Sequence, residues 1–374
     1  MVEISIDVAP MRRALRLLGR AVEPRNTIPV LGYMKVDAFN SGMKISTTDL
    51  NMEITVSVEA QWTGAKKPFL VPYKAARSFF DAVPVDGMAT MKYTAPDRLE
   101  LACGQIELRI QLLCVAEDYP HMTSQNLNGT SISEPDLYRH LKSLRHCIEK
   151  ENTRYYLNGV FVTTHPETGK MRTVSTDGHR LGIYDTDNVP PSGFTGIIPT
   201  PAVDVLLATL RPDGNALVMF EGNRETERPF LNVEIGDVRI KAKLIDGTFP
   251  DYTRDLPKLD QTACNRVNLT AGGILGPLRM ALEIGGERSI ATKINLPAAK
   301  AELRTFGQDC AISFPVEITS DAGSADHIGF NGRYLMDQAR ATPTFQIMFD
   351  HAGDPGLIRC EDPNAQYVLM PMRV

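Results

Sequence analysis

The sequence predicts an α+β fold of three similar domains, in which lone amphipathic helices alternate with runs of antiparallel strands. Three observations predict it. The order strand, helix, strands occurs twice in each of three successive stretches. The second halves of those stretches open near Leu70, Ile197 and Gly329, spaced by about 130 residues. A chain of 374 residues is also too long for one ordinary domain.

In the first stretch, Ile4-Ser5-Ile6 leads into a helix over 9–25, whose Met11, Leu15, Leu18 and Val22 share one face. Strands follow at 33–39, 43–47 and 53–58. Phe69-Leu70-Val71-Pro72 then opens a helix at 73–83, and strands follow at 89–93, 98–102 and 106–113.

The second stretch repeats this order. Ser131-Ile132-Ser133 precedes a helix over 134–150 with Leu137, Leu141, Leu144 and Ile148 in register, then strands at 160–164, 171–175 and 181–185. Gly196-Ile197-Ile198-Pro199 opens a helix at 201–210, then strands at 216–221, 229–235 and 238–244. The third stretch starts at Arg266 with a helix over 272–284. Ile328-Gly329-Phe330-Asn331 opens its second half with a helix at 332–341, and an extended segment closes it at 367–374. Turn-rich or polar linkers near 121–129 and 253–261 set the domains at 1–126, 127–257 and 258–374.

Composition narrows the function. Hydrophobic content of 43% and charged content of 23% fit a water-soluble globular protein. No apolar run reaches membrane length and no basic-plus-apolar leader opens the chain, so neither a membrane span nor a signal peptide is expected. Six scattered cysteines without Cys-x-x-Cys point to reduced thiols in the cytoplasm and to no zinc site.

The charge is unevenly placed. The segments 9–25, 72–83, 133–150, 200–212, 272–285 and 331–341 carry 15 Lys or Arg against 8 Asp or Glu, a balance of +7. With a net charge of −5, the remainder carries −12. Ordinary solvated helix faces would explain some asymmetry, but a helical surface held against phosphate explains it better. No recognition-helix, zinc-finger or aromatic RNA motif appears, so sequence readout is not expected.

The stretch 154–181 is the most informative. Asp177-Gly178 is a turn signal between extended segments, and it presents His179 and Arg180 at a strand end near Leu157. An Asp-Gly-His-Arg run invites a hydrolase reading with His179 as base. Yet no nucleophile elbow, Gly-rich phosphate loop or metal-ligand spacing accompanies it, so no catalytic residue, cofactor or metal is expected.

Five runs carry a family resemblance: Arg154-Tyr155-Tyr156-Leu157-Asn158-Gly159, Thr176-Asp177-Gly178-His179-Arg180-Leu181, the 243–252 segment ending Phe249-Pro250-Asp251-Tyr252, Ile328-Gly329-Phe330-Asn331, and Tyr367-Val368-Leu369-Met370-Pro371-Met372-Arg373. In that order they resemble the bacterial sliding clamp, the β subunit of DNA polymerase III, along the whole chain. Asn26 to Leu31 and Thr48-Asp49-Leu50 add weaker matches, and 265–324 is the least similar part.

The resemblance implies a head-to-tail homodimer, a ring of six clamp domains with antiparallel sheets outside and two helices per domain lining the hole. Twelve helices at about 10 Å spacing would enclose a hole roughly 38 Å wide, enough for duplex DNA and water. It implies a non-catalytic processivity factor, opened by a clamp loader and tethering the DNA polymerase III catalytic subunit. Translesion polymerases, mismatch-repair proteins and ligase would share one peptide pocket. Its matching positions are Leu157, Thr176, Gly178, His179, Arg180, Leu181, Pro250, Arg254, Val368, Leu369, Met370, Pro371, Met372 and Arg373, read as an apolar groove rimmed by Arg. Methionines suit a groove that fits several ligands. The DNA-binding positions would be Arg25, Lys74, Tyr155 and Tyr156, supported by the helix cations. Asp255 departs from the aliphatic residue of better-known members, and Glu151 puts an acid in a DNA-facing loop. A paralogous clamp for repair or a mobile element is the alternative within the family.

Overall fold

The computed structural model describes residues 1–23, 27–39, 42–95, 97–122, 130–188, 195–211, 213–221, 229–259, 264–285, 290–305, 311–318 and 325–374. Among them are six α-helices: α1 (Val8–Leu18), α2 (Tyr73–Ala82), α3 (Glu134–Arg145), α4 (Thr200–Thr209), α5 (Ala271–Gly285) and α6 (Gly332–Ala341). All strand pairs among the described residues are antiparallel, so the expected α+β architecture stands.

The chain forms two compact units, Met1–Tyr138 with Pro201–Leu244, and Arg139–Thr200 with Ile245–Val374. Each is built the same way. In the first, an eight-stranded sheet is joined at its middle where Met52–Glu59 pairs with Val238–Lys243, and a five-stranded sheet accompanies it. In the second, a nine-stranded sheet is joined where Arg180–Asp185 pairs with Ala365–Leu369, beside a four-stranded sheet.

The two joints share one turn. Thr176 Oγ1 donates to Arg180 O (2.7 Å), and Asp177 Oδ1 accepts from the amides of His179 and Arg180 (2.9 and 3.0 Å). In the first unit, Thr48 Oγ1 donates to Met52 O (2.8 Å), and Asp49 Oδ1 accepts from the amides of Asn51 and Met52 (2.9 and 2.7 Å). Both turns need a residue at positive φ. Gly178 supplies it at +84° without strain, whereas Leu50 is forced to +73°.

The helices bury the faces that their spacing predicts: Met11, Leu15 and Leu18 on α1, and Leu335, Met336 and Ala339 on α6. Helix α6 keeps its expected bounds because the Asn331 side chain accepts from the Arg333 amide (3.0 Å) and caps it.

Two helices are shorter than expected. The 9–25 prediction stops at Leu18, where the buried Thr47 hydroxyl takes the Leu18 carbonyl (2.7 Å) and the chain tightens into a 3₁₀ turn. Gly19 is required there, since a Cβ would sit 2.0 Å from the Tyr73 hydroxyl. The 134–150 prediction stops at Arg145, because the chain turns at Cys147 and folds Glu149 inward to accept from the amides of Lys150 and Glu151 (2.8 and 3.0 Å).

The expected 106–113 strand ends at Gln111, and the last strand ends at Leu369, leaving Met370 to Val374 as a tail. Tyr252–Asp255, at the start of the expected second linker, is a 3₁₀ helix capped by Asp251. An unpredicted edge strand runs over Gln61–Gly64, and the 290–318 region adds strands that the sequence left unassigned. Residues 123–129 of the first linker lie outside the described residues.

Candidate functional site

The expected pocket residues all fall in the second unit. Leu181 pairs with Val368 and Arg180 with Leu369 in one antiparallel register, so the turn and the tail leave the sheet side by side. Beyond the last pair, the Met370 amide donates to His179 O (2.9 Å), and the Met372 amide to Gly329 O (2.8 Å). Leu157, Leu181 and Val368 belong to one buried apolar cluster with Phe249, Tyr252 and Met348. Above that floor, Gly178, His179, Pro250, Met370 and Arg373 are exposed, with Pro371 and Met372 half-buried.

Thr176, Leu369 and Arg180 are buried. Arg180 therefore does not rim a groove, and that expectation is corrected. Its Nε donates to Asp177 Oδ2 (2.9 Å) and its Nη1 to Asp337 Oδ2 (3.0 Å). Its guanidinium also lies 4.5 Å from the centre of the Tyr334 ring, which stacks on His179 at 6.1 Å. A guanidinium this buried is stable only because two carboxylates and an aromatic face replace its water. The charge positions the turn.

The exposed cations are Arg254, 84% accessible and bonded to Asp251 (3.0 Å), and Arg373. Asp251 also accepts from the Thr253 hydroxyl and amide. Those bonds, followed by the Arg254 charge, hold its carboxyl below the usual range. Asp255 is exposed beside Leu256, which packs on the apolar cluster.

Behind Arg180 lies a polar layer. His146 Nε2 meets Gln338 Oε1 at 3.0 Å and Cys147 Sγ at 3.4 Å. Burial, then the Arg180 charge, pushes His146 down to about 4, and burial pushes the Cys147 thiol up to about 12. At this end of the site the histidine is neutral and the thiol protonated, neither of which suits nucleophilic chemistry.

Sequence reasoning missed Arg154, Tyr334, Asp337 and His146. Arg154 pairs with Glu149 (2.5 Å) and fills the space over Gly178, where a Cβ would lie 2.6 Å from its Nη1. It stood inside a quoted motif and was the most findable. Tyr334 and Asp337, one turn apart on α6, carried only the helical spacing that puts both on one face.

The DNA-facing expectations divide. Lys74 and Tyr155 are exposed, the latter by 54%. Tyr156 is half-buried against the apolar cluster and meets Tyr155 edge-on at 5.8 Å. Arg25 lies outside the described residues.

Among the described residues no cluster of His, Cys, Asp and Glu could hold a metal, five cysteines are free, and no helix is long and apolar enough to cross a membrane.

With this geometry, the chain can be set beside known proteins. The family model described as DNA polymerase III beta subunit, N-terminal domain, matches residues 2–123, and the central-domain model matches 131–251. The beta sliding clamp of Caulobacter vibrioides is 31% identical over 392 aligned positions, covering 100% of both chains. Among solved structures, a Bartonella birtlesii clamp bound to griselimycin is 27% identical with a TM-score of 0.87, covering 100% of both chains. A Caulobacter crescentus clamp crystallised with polyethylene glycol is 26% identical with a TM-score of 0.87, covering 100% of this chain and 99% of the other.

Proposed function

The chain belongs to the DNA polymerase III β-subunit family, the bacterial sliding clamps, and from that premise we propose a ring-shaped homodimeric processivity factor that encircles duplex DNA. The three-domain clamp fold divides at 1–126, 127–257 and 258–374, limits that enclose both family-model matches. The ring acts without catalysis in the cytoplasm, where a clamp loader opens it. It tethers the DNA polymerase III catalytic subunit and takes translesion polymerases, mismatch-repair proteins and ligase in turn.

One observation carries the reading. The 176–181 turn and the C-terminal tail leave paired strands side by side over one apolar cluster, in a chain similar to clamps along its full length. A peptide with aliphatic or aromatic anchors would lie over Leu157, Leu181 and Val368, between the Gly178-His179 lip and Met370 to Arg373, with Pro250 and Arg254 at its edge. Lys74 and Tyr155 supply DNA contacts, with Arg25 as the resemblance implies. The helices support this, since their described spans carry eleven basic side chains against six acidic ones.

Encirclement does not rely on counterion release, whereas direct binding weakens steeply with salt. Loaded on nicked circular DNA, the protein should survive a high-salt wash and leave once the circle is linearised. Equal, salt-sensitive loss from circles and linear DNA removes the ring.

A further inference from the structure

The 176–181 turn has a near copy in the first unit, and the copy carries different chemistry. The two frames match bond for bond. Besides the Thr and Asp contacts already described, the Leu50 amide donates to Thr48 Oγ1 (3.0 Å) as the Gly178 amide does to Thr176 Oγ1 (3.0 Å). The Lys243 amide donates to Asn51 O (2.8 Å) as the Met370 amide does to His179 O (2.9 Å). Asn26-Thr27-Ile28 precedes the buried Leu31 at the spacing by which Asn152-Thr153-Arg154 precedes the buried Leu157. Leu50 therefore holds the place of Gly178, Ile28 that of Arg154, and Met52 that of Arg180.

The floor is not copied. Glu53 stands opposite Lys241, where Leu181 stands opposite Val368. Glu53 also accepts from the Met122 amide (3.2 Å), so the chain after Pro120 lies over a charged floor. What the first unit presents to solvent is the lip. Leu50 is 37% accessible and Ile28 44%. Leu50 holds φ at +73°, a conformation that Gly adopts freely, and it is not buried in return. Beside it, Asp49 Oδ1 is taken by two amides. In the pocket turn the second oxygen of Asp177 is taken by Arg180. Met52 is apolar and buried, and Asp49 pairs with no cation among the described residues.

We propose that the 48–52 turn, with Ile28, is a second docking surface, and that it takes a segment of a partner protein in which Lys or Arg sits beside Leu or Ile. The partner's aliphatic side chain packs on Leu50 and Ile28. Its cation supplies to Asp49 in trans the charge that Arg180 supplies to Asp177 within the chain. The inference takes the pocket turn as its template and rests on the pocket reading for that comparison, but the surface belongs to the other unit. A plain alternative exists: Leu50 is a tolerated residue in a structural turn. It predicts that Leu50→Gly changes stability and nothing else.

The test titrates the full-length protein with two peptide amides, Ala-Leu-Arg-Leu-Ala and Ala-Leu-Glu-Leu-Ala, each carrying one photoactivatable leucine, and maps the crosslinked residues by mass spectrometry. The Arg peptide should crosslink saturably around Leu50 and Ile28, ahead of the Glu peptide. Leu50→Gly removes the apolar contact without straining the turn, and should weaken labelling there by about tenfold. Asp49→Asn keeps an oxygen for the two amides and removes the charge, so the Arg-over-Glu preference, up to about fivefold, should vanish. Labelling of the C-terminal tail should not change in either variant. Absence of saturable labelling around Leu50 overturns the proposal, and so does labelling there that neither variant alters. The tail separates the two failures. If the tail is labelled and Leu50 is not, only the second surface is wrong. Labelling at Leu50 that responds to both variants, with none at the tail, supports the second surface and counts against the pocket.

Discussion

Arg180 Nη1 donates to Asp337 Oδ2 at 3.0 Å, and this bond fastens the 176–181 turn to helix α6 across 157 residues of sequence. It makes a buried cation part of the scaffold of the lip. Asp337→Ala leaves that guanidinium with Asp177 and the Tyr334 ring, and one donor without a partner. The cost should be about 2 kcal/mol of stability, with weaker peptide binding because the lip loses its support. Chemical denaturation and a peptide titration measure the two effects. Stability unchanged within about 0.5 kcal/mol would show that the bond does not form.

The turn pair makes a sharper test, since one conformation is occupied by Gly in one unit and by Leu in the other. Gly178→Ala introduces left-handed strain of about 1–2 kcal/mol and drives a methyl into Arg154. Leu50→Gly relieves the same strain at an exposed site, so it should be neutral or stabilise by about 0.5 kcal/mol despite the flexibility that Gly adds to the unfolded chain. Equal destabilisation by both would refute the shared geometry.

These relationships separate what the chain discloses locally from what it does not. The 176–181 turn was legible because Asp-Gly specifies its conformation from within, and α6 was legible because Asn331 caps it. The end of α1 was not, because it is decided by the Tyr73 hydroxyl and the Thr47 side chain. The same reason placed Arg180 on a rim. Its local partner Asp177 was in view, but Asp337 and Tyr334 reach it only through folding. The family resemblance supplied the positions expected to form a pocket but not the buried polar groups packed behind them, since neutral and paired groups look alike in sequence.

His146 gives a pH signature. Burial lowers its folded value to about 4, below the usual 6.5 or so of the unfolded chain. The unfolded state therefore binds the extra proton first. Stability from this group is complete above about 6.5 and falls by roughly 1.4 kcal/mol per pH unit between 6.5 and 4. Denaturation midpoints in wild type and His146→Gln at neutral pH and near pH 5 should converge as pH drops. Parallel curves would mean that His146 does not titrate in this window.

If the proposed pocket takes a peptide, its exposed edge predicts how ligands are chosen. Met370 is 39% accessible and is held through its backbone amide, so Met370→Ala should spare stability while removing an anchor contact. Such contacts carry about 1–2 kcal/mol, a loss of roughly tenfold in affinity. Deleting Met370 to Val374 is a harsher change, because Met372 bonds Gly329 and the Val374 methyls crowd it, so that variant should also melt earlier. Asp255 is expected to act on specificity. It is exposed, and the nearby Arg254 is already paired with Asp251, so its carboxylate is available to a basic ligand residue. An exposed pair contributes about 0.2–1 kcal/mol, so peptides with Lys or Arg beside their apolar anchors should bind up to about fivefold tighter than neutral ones. Asp255→Val should abolish that difference and leave neutral peptides bound as before. Titrating matched basic and neutral peptides against wild type, Met370→Ala and Asp255→Val checks both effects. A basic-peptide preference that survives Asp255→Val would assign it to another acid, and full affinity in Met370→Ala would place the peptide away from the tail.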